Sequence, residues 1–165
     1  VHARNVSDSA KIRAVEYLSR CAGETGMVGG QVLDIMSEER ECTEQEIRDI
    51  QNRKTGALIK AACVLGVLAG GGTDEQESAA AKFADHLGLA FQIRDDMLDV
   101  IGTAEEMGKG VGTDEGKNTF VRLYGLEKCE ELVQKYTDLA ISALSVFDDA
   151  TYLVELARSL TGRTT

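Results

Sequence analysis

An all-α fold is predicted by three features of this 165-residue sequence. Proline is absent, no alternating β-branched run is long enough for a strand, and helix-start signatures stand ahead of apolar-periodic segments. Ser9 to Cys21 opens the chain, with Ile12, Val15, Tyr17 and Leu18 near helical spacing. The glycine-rich stretch Gly23 to Gly30 interrupts it and leads into a helix over Gln31 to Arg40. These glycines mark either a turn or a helix crowded against another backbone. Thr43 and Glu46 form a capping box for a helix over Glu44 to Ala69, charged in its first half and apolar in its second. Gly70-Gly71-Gly72 ends it, and Thr73 with Gln76 starts a long helix reaching Ile101. A glycine-rich polar loop over Gly102 to Asn118 separates it from helices over Leu126 to Phe147 and Ala150 to Leu160. No internal repeat is present, and residues 1–165 are expected to form one all-α domain.

Composition narrows the function. Hydrophobic residues make up 43%, enough for a buried core, and the net charge of -10 argues against nucleic acid or an anionic membrane as partner. Cys21, Cys42, Cys63 and Cys129 include no CxxC pair, and His2 and His86 lie far apart, so neither a zinc site nor a disulfide framework is expected. The most apolar run, Ala61 to Gly72, falls short of the roughly 20 residues that a membrane span needs. With no signal peptide pattern, a cytoplasmic protein is expected. Because the first residue is Val1, the chain is expected to be truncated.

The informative segment is Leu89 to Ile101. At about 100° per residue, Gln92, Asp95, Asp96 and Asp99 fall on one arc, while nearly all other positions are apolar and only Arg94 breaks that pattern. A solvated acidic face would explain the carboxylates but not the apolar remainder. A mostly packed helix should turn its acidic arc towards a cleft. Three crowded carboxylates raise one another's pKa unless a cation neutralises them, and Mg²⁺ characteristically takes one or two carboxylates together with substrate phosphates. Lys54 and Thr55 stand where their helix turns apolar, and Lys109 and Lys117 stand in the glycine-rich loop beyond Asp99. A loop of that kind can act as a lid over a metal–phosphate cluster. Neither Gly108-Lys109 nor Gly116-Lys117 completes a Walker A loop, and no GxGxxG or EF-hand pattern occurs.

The segment Phe91 to Val100 resembles the second aspartate-rich motif of the polyprenyl synthetases, which include farnesyl and geranylgeranyl diphosphate synthases. Gly26 to Gln31 with Asp34 is similar to that family's glycine-rich segment, Lys54 to Leu58 to its lysine–threonine motif, and Gly108 to Thr119 to its diphosphate-binding loop. The resemblance implies the C-terminal part of an isoprenoid synthase type I fold, a helical bundle. It also implies a Mg²⁺-dependent prenyltransferase joining isopentenyl diphosphate to an allylic diphosphate. Asp95 would bind the metal directly, with Asp96 and Asp99 acting mainly through water. Lys54 and Lys109 would hold the allylic diphosphate with Lys117 nearby, and Thr55 and Gln92 would line the reacting carbons. The family's earlier aspartate-rich motif with paired arginines has no match here, so about half a site is expected, inactive by itself and homodimeric in the full-length enzyme. Three rivals stand beside this: a non-catalytic subunit modulating a partner prenyltransferase, a terpene cyclase, whose second metal motif is missing after Asp99, and a purely structural bundle.

Overall fold

The computed structural model describes residues 4–106 and 118–163, with the side chains of 103–106 excepted. Seven α-helices follow one another: α1 (Asp8–Ala22), α2 (Met27–Ser37), α3 (Glu44–Gln51), α4 (Ala57–Gly70), α5 (Asp74–Glu106), α6 (Phe120–Ala143) and α7 (Thr151–Thr161). Among the described residues no strand occurs, as the sequence predicts.

Both capping boxes are made. The Thr43 hydroxyl accepts from the Glu46 amide and the Glu46 carboxylate accepts from the Thr43 amide. Thr73 and Gln76 repeat the exchange at the head of α5.

Several boundaries differ from expectation: α5 runs on to Glu106 instead of ending at Ile101, α2 ends at Ser37 and α6 at Ala143, and three further differences bear on the site. α2 begins at Met27, taking Gly29 and Gly30 into the helix, because Gly30 lies against the backbone of residues 53 and 54: a Cβ there would come 2.4 Å from the Lys54 nitrogen. The helix expected over Glu44 to Ala69 is divided by a π-helical turn at Asn52–Gly56, which separates α3 from α4. Such turns replace the i→i−4 ladder locally and are frequent at functional sites. α6 starts at Phe120 rather than Leu126, but Gly125 inside it has φ 76° and ψ 165°, so a regular helix resumes at the expected residue. That positive φ suits glycine.

α5 is the central element. With α3 and α6 it buries Ile47, Ile50, Leu89, Ile93, Met97, Phe120, Cys129 and Val133, and with α6 and α7 it buries Phe83, Leu87, Ala140, Leu144 and Ala157. Arg94, the polar break in the α5 pattern, donates to the Thr161 carbonyl at 2.6 Å and pairs with Glu130 at 2.7 Å, tying α5 to α7 and α6. α5 is therefore packed around most of its circumference, as its composition requires. No helix among the described residues is long and apolar enough to cross a membrane.

Candidate functional site

The π turn brings the lysine–threonine segment onto α5. Gly56 and Gly88 meet closely enough that a Cβ on Gly88 would stand 3.4 Å from the Gly56 Cα. Absence of side chains on both allows this approach. Gln92 is one turn beyond Gly88. At 1.5 Å rise per residue, Asp95 and Asp96 lie about 10–12 Å further along α5 than that crossing.

Lys54 is half-buried and pairs with Asp34 of α2 across 2.6 Å. Asp34 is held in turn by the end of α2, where the buried Ser37 hydroxyl donates to its carbonyl at 2.7 Å. Thr55 and Gln92 are both partly buried.

The aspartates are not equivalent. Asp95, half exposed, accepts from the Arg163 guanidinium at 2.9 Å. That guanidinium also lies 4.4 Å from the centre of the Phe91 ring, one turn earlier on α5. Asp96 accepts from the Phe120 amide at 2.8 Å, so it ties the first residue of α6 to α5. The same carboxylate faces Cys129 of α6: burial first, and Asp96 second, push that thiol up to about 11. Asp99 is exposed. Asn118 fastens the chain just before α6. Its side chain donates to the Ser37 and Arg40 carbonyls at 2.9 Å each and accepts from the Cys42 amide at 2.9 Å.

Among the described residues no three carboxylate, imidazole or thiol groups converge closely enough to hold a metal by themselves. The donor set still fits Mg²⁺ completed by substrate oxygens, which uses few protein ligands. Asp95 already takes a cationic partner in Arg163. Lys109 and Lys117 lie outside the described residues. Asp34 belongs to the glycine-rich segment, but its contact with Lys54, twenty residues on, leaves no local sign in the sequence. Nothing in the sequence pointed to Arg163, more than sixty residues beyond Asp95.

The polyprenyl synthetase family profile matches residues 2–150. Geranylgeranyl pyrophosphate synthase 3, a chloroplastic protein of Arabidopsis thaliana, is 43% identical over 159 residues, which cover 92% of this chain and 44% of that protein. The chloroplastic geranylgeranyl pyrophosphate synthase of Catharanthus roseus is 38% identical, covering 97% and 46%. The crystal structure of an FPP/GFPP synthase from Zymomonas mobilis superposes with a TM-score of 0.81 at 33% identity, covering 93% of this chain and 52% of that one. A geranyltransferase from Helicobacter pylori, crystallised with magnesium and isoprenyl diphosphate, gives a TM-score of 0.74 at 30% identity, covering 95% and 52%. The chain spans about half the length of these relatives. The two plant relatives, both chloroplastic, lend no support to the cytoplasmic placement. The fold is that of the isoprenoid synthases, and the chain belongs to the polyprenyl synthetase family.

Proposed function

We propose that this chain supplies the second aspartate-rich half of a prenyltransferase that condenses isopentenyl diphosphate with an allylic diphosphate in the geranyl to farnesyl range. The observation that carries it is Lys54, set on a π turn that leans on α5 one turn before Gln92, on the same helix as the cation-paired Asp95. Lys54 binds and orients the allylic diphosphate, with Asp34 fixing its ammonium. Thr55 and Gln92 line the reacting carbons. Asp95 would hold Mg²⁺ directly, with Asp96, already anchored to Phe120, and Asp99 acting mainly through water. Lys109 and Lys117 complete the diphosphate cradle. When bound, Mg²⁺ supplies the positive charge that stabilises the departing diphosphate. The same stabilisation is asked of Lys54, in a site where fixed charges act without reorganising.

By itself the chain is proposed to be inactive, because a facing aspartate motif has no counterpart in its sequence. Assembly, as a homodimer in the full-length enzyme, belongs to the same proposal. α1 buries no residue, and Ile12, Val15, Val28, Val32, Ile35 and Met36 of α1 and α2 are all exposed.

Titration calorimetry with pyrophosphate, with and without Mg²⁺, tests the assignment. Mg²⁺ should strengthen pyrophosphate binding, and Asp95→Asn should abolish that increment. Pyrophosphate affinity indifferent to Mg²⁺ in the wild-type chain would refute the metal assignment. Isoprenoid condensation by the chain alone would refute the half-site.

A further inference from the structure

Beside the π turn, on a surface that includes none of Asp34, Lys54, Thr55, Gln92 or the three aspartates, lies a cleft of about 640 Å³. Its volume falls in the range of small-molecule sites, roughly 300–1,000 Å³. α1, the π turn, α4, α5 and α6 all contribute to it.

Its lining is basic in a protein whose net charge is -10. Arg20, Arg48, Arg53 and Lys60 face it, against a single carboxylate, Asp85. Two of these cations are already neutralised: Arg48 by Glu44 at 2.7 Å and Lys60 by Asp85 at 2.5 Å. Arg20 and Arg53 have no carboxylate partner among the described residues. Arg20 instead lies over the Tyr17 ring, 5.6 Å from its centre. Arg48 is fixed deep in the wall, donating to the Tyr136 hydroxyl at 3.1 Å. Burial opposes its charge, but the hydrogen bonds to Glu44 and Tyr136 outweigh that and hold its pKa up. His86 and Tyr136 stack beside it with ring centres 6.2 Å apart.

Two guanidinium groups without carboxylate partners among the described residues line a cleft with two further cations, and each planar fork can donate two parallel N–H bonds to a phosphoryl group. We propose that this cleft binds a diphosphate group without a metal ion, at a site separate from the aspartate helix. The division is built into the π turn, where Lys54 pairs with Asp34 while its neighbour Arg53 lines the cleft.

The two sites are told apart by calorimetric titration of the intact chain with inorganic pyrophosphate in EDTA. Saturable binding is expected. Arg20→Ser with Arg53→Ser removes both forks and should weaken it at least about tenfold, the loss that even one charge-assisted contact would give. Asp95→Asn and Lys54→Ala should leave it unchanged. Both arginines are exposed, and unchanged circular dichroism and melting would verify that the double variant is folded. The absence of saturable binding in EDTA would overturn the proposal, as would full binding by the folded double variant. So would loss of metal-free binding in Lys54→Ala, since the anion would then sit beside Asp34. The Mg²⁺-dependent increment at Asp95 is read separately, so either assignment can fail without the other.

Discussion

Replacing Asp96 by alanine should destabilise the protein much more than the same change at Asp95, although the two residues are adjacent in one motif. Asp96 accepts from the Phe120 amide at 2.8 Å, and Phe120 is 0% exposed, so water cannot replace the lost acceptor. A hydrogen bond to a charged group contributes about 1.5–3 kcal/mol, and an anion at a helix N-terminus adds about 0.3–1 kcal/mol. A loss near 2 kcal/mol is expected, lowering Tm by about 4–8 °C for a chain of this length. Asp95 pairs with Arg163 across a half-exposed surface, where an ion pair contributes about 0–1 kcal/mol. Urea denaturation followed by circular dichroism would give both values. Asp96→Asn retains a carbonyl acceptor and should recover more than half of the loss. Equal stability of Asp96→Ala and Asp95→Ala, within about 0.5 kcal/mol, would refute the assignment of Asp96 as the tie between α5 and α6.

Gly30→Ala would set a methyl group 2.4 Å from the Lys54 nitrogen and 2.7 Å from the Arg53 Cβ. The π turn would have to move, at about 1–3 kcal/mol in urea denaturation, and the Mg²⁺-dependent pyrophosphate increment should fall with it. Glu46 is held at about 2 by hydrogen bonds from Arg40 and from the Thr43 amide and hydroxyl, against an ordinary value of 4.5. A depressed carboxylate stabilises the fold above its unfolded pKa, and that contribution is lost as pH falls from 4.5 towards 2. Stability in that window should fall less steeply for Glu46→Gln than for the wild type; parallel profiles would contradict the shift. Cys129, 0% exposed with its thiol pushed up to about 11, should resist alkylation at pH 8 until the chain is unfolded, as peptide mapping after labelling would show.

Local chemistry determined much of this protein. Thr43 with Glu46 and Thr73 with Gln76 set two helix starts through bonds three residues apart, so no distant partner was needed. The acidic arc from Gln92 to Asp99 follows from helical geometry alone, as does the packing of Ile93 and Met97 on the other side. What depended on neighbours distant in the chain was decided by tertiary structure. The π turn forms where Gly30 of α2 and Gly88 of α5 press on residues 53 to 56. That contact explains why Gly30 stands inside α2, and the Glu24 carbonyl, 1.8 Å from where a Cβ of Gly29 would lie, explains the glycine before it, where propensity alone would have ended a helix. Aspartates that look alike as a motif are held differently: an arginine from beyond α7 pairs with Asp95, and a backbone amide of α6 donates to Asp96. Spacing fixes which face a carboxylate occupies. The chain arriving on that face fixes its role, and the partners come from 24 and 68 residues away, beyond the reach of any local pattern.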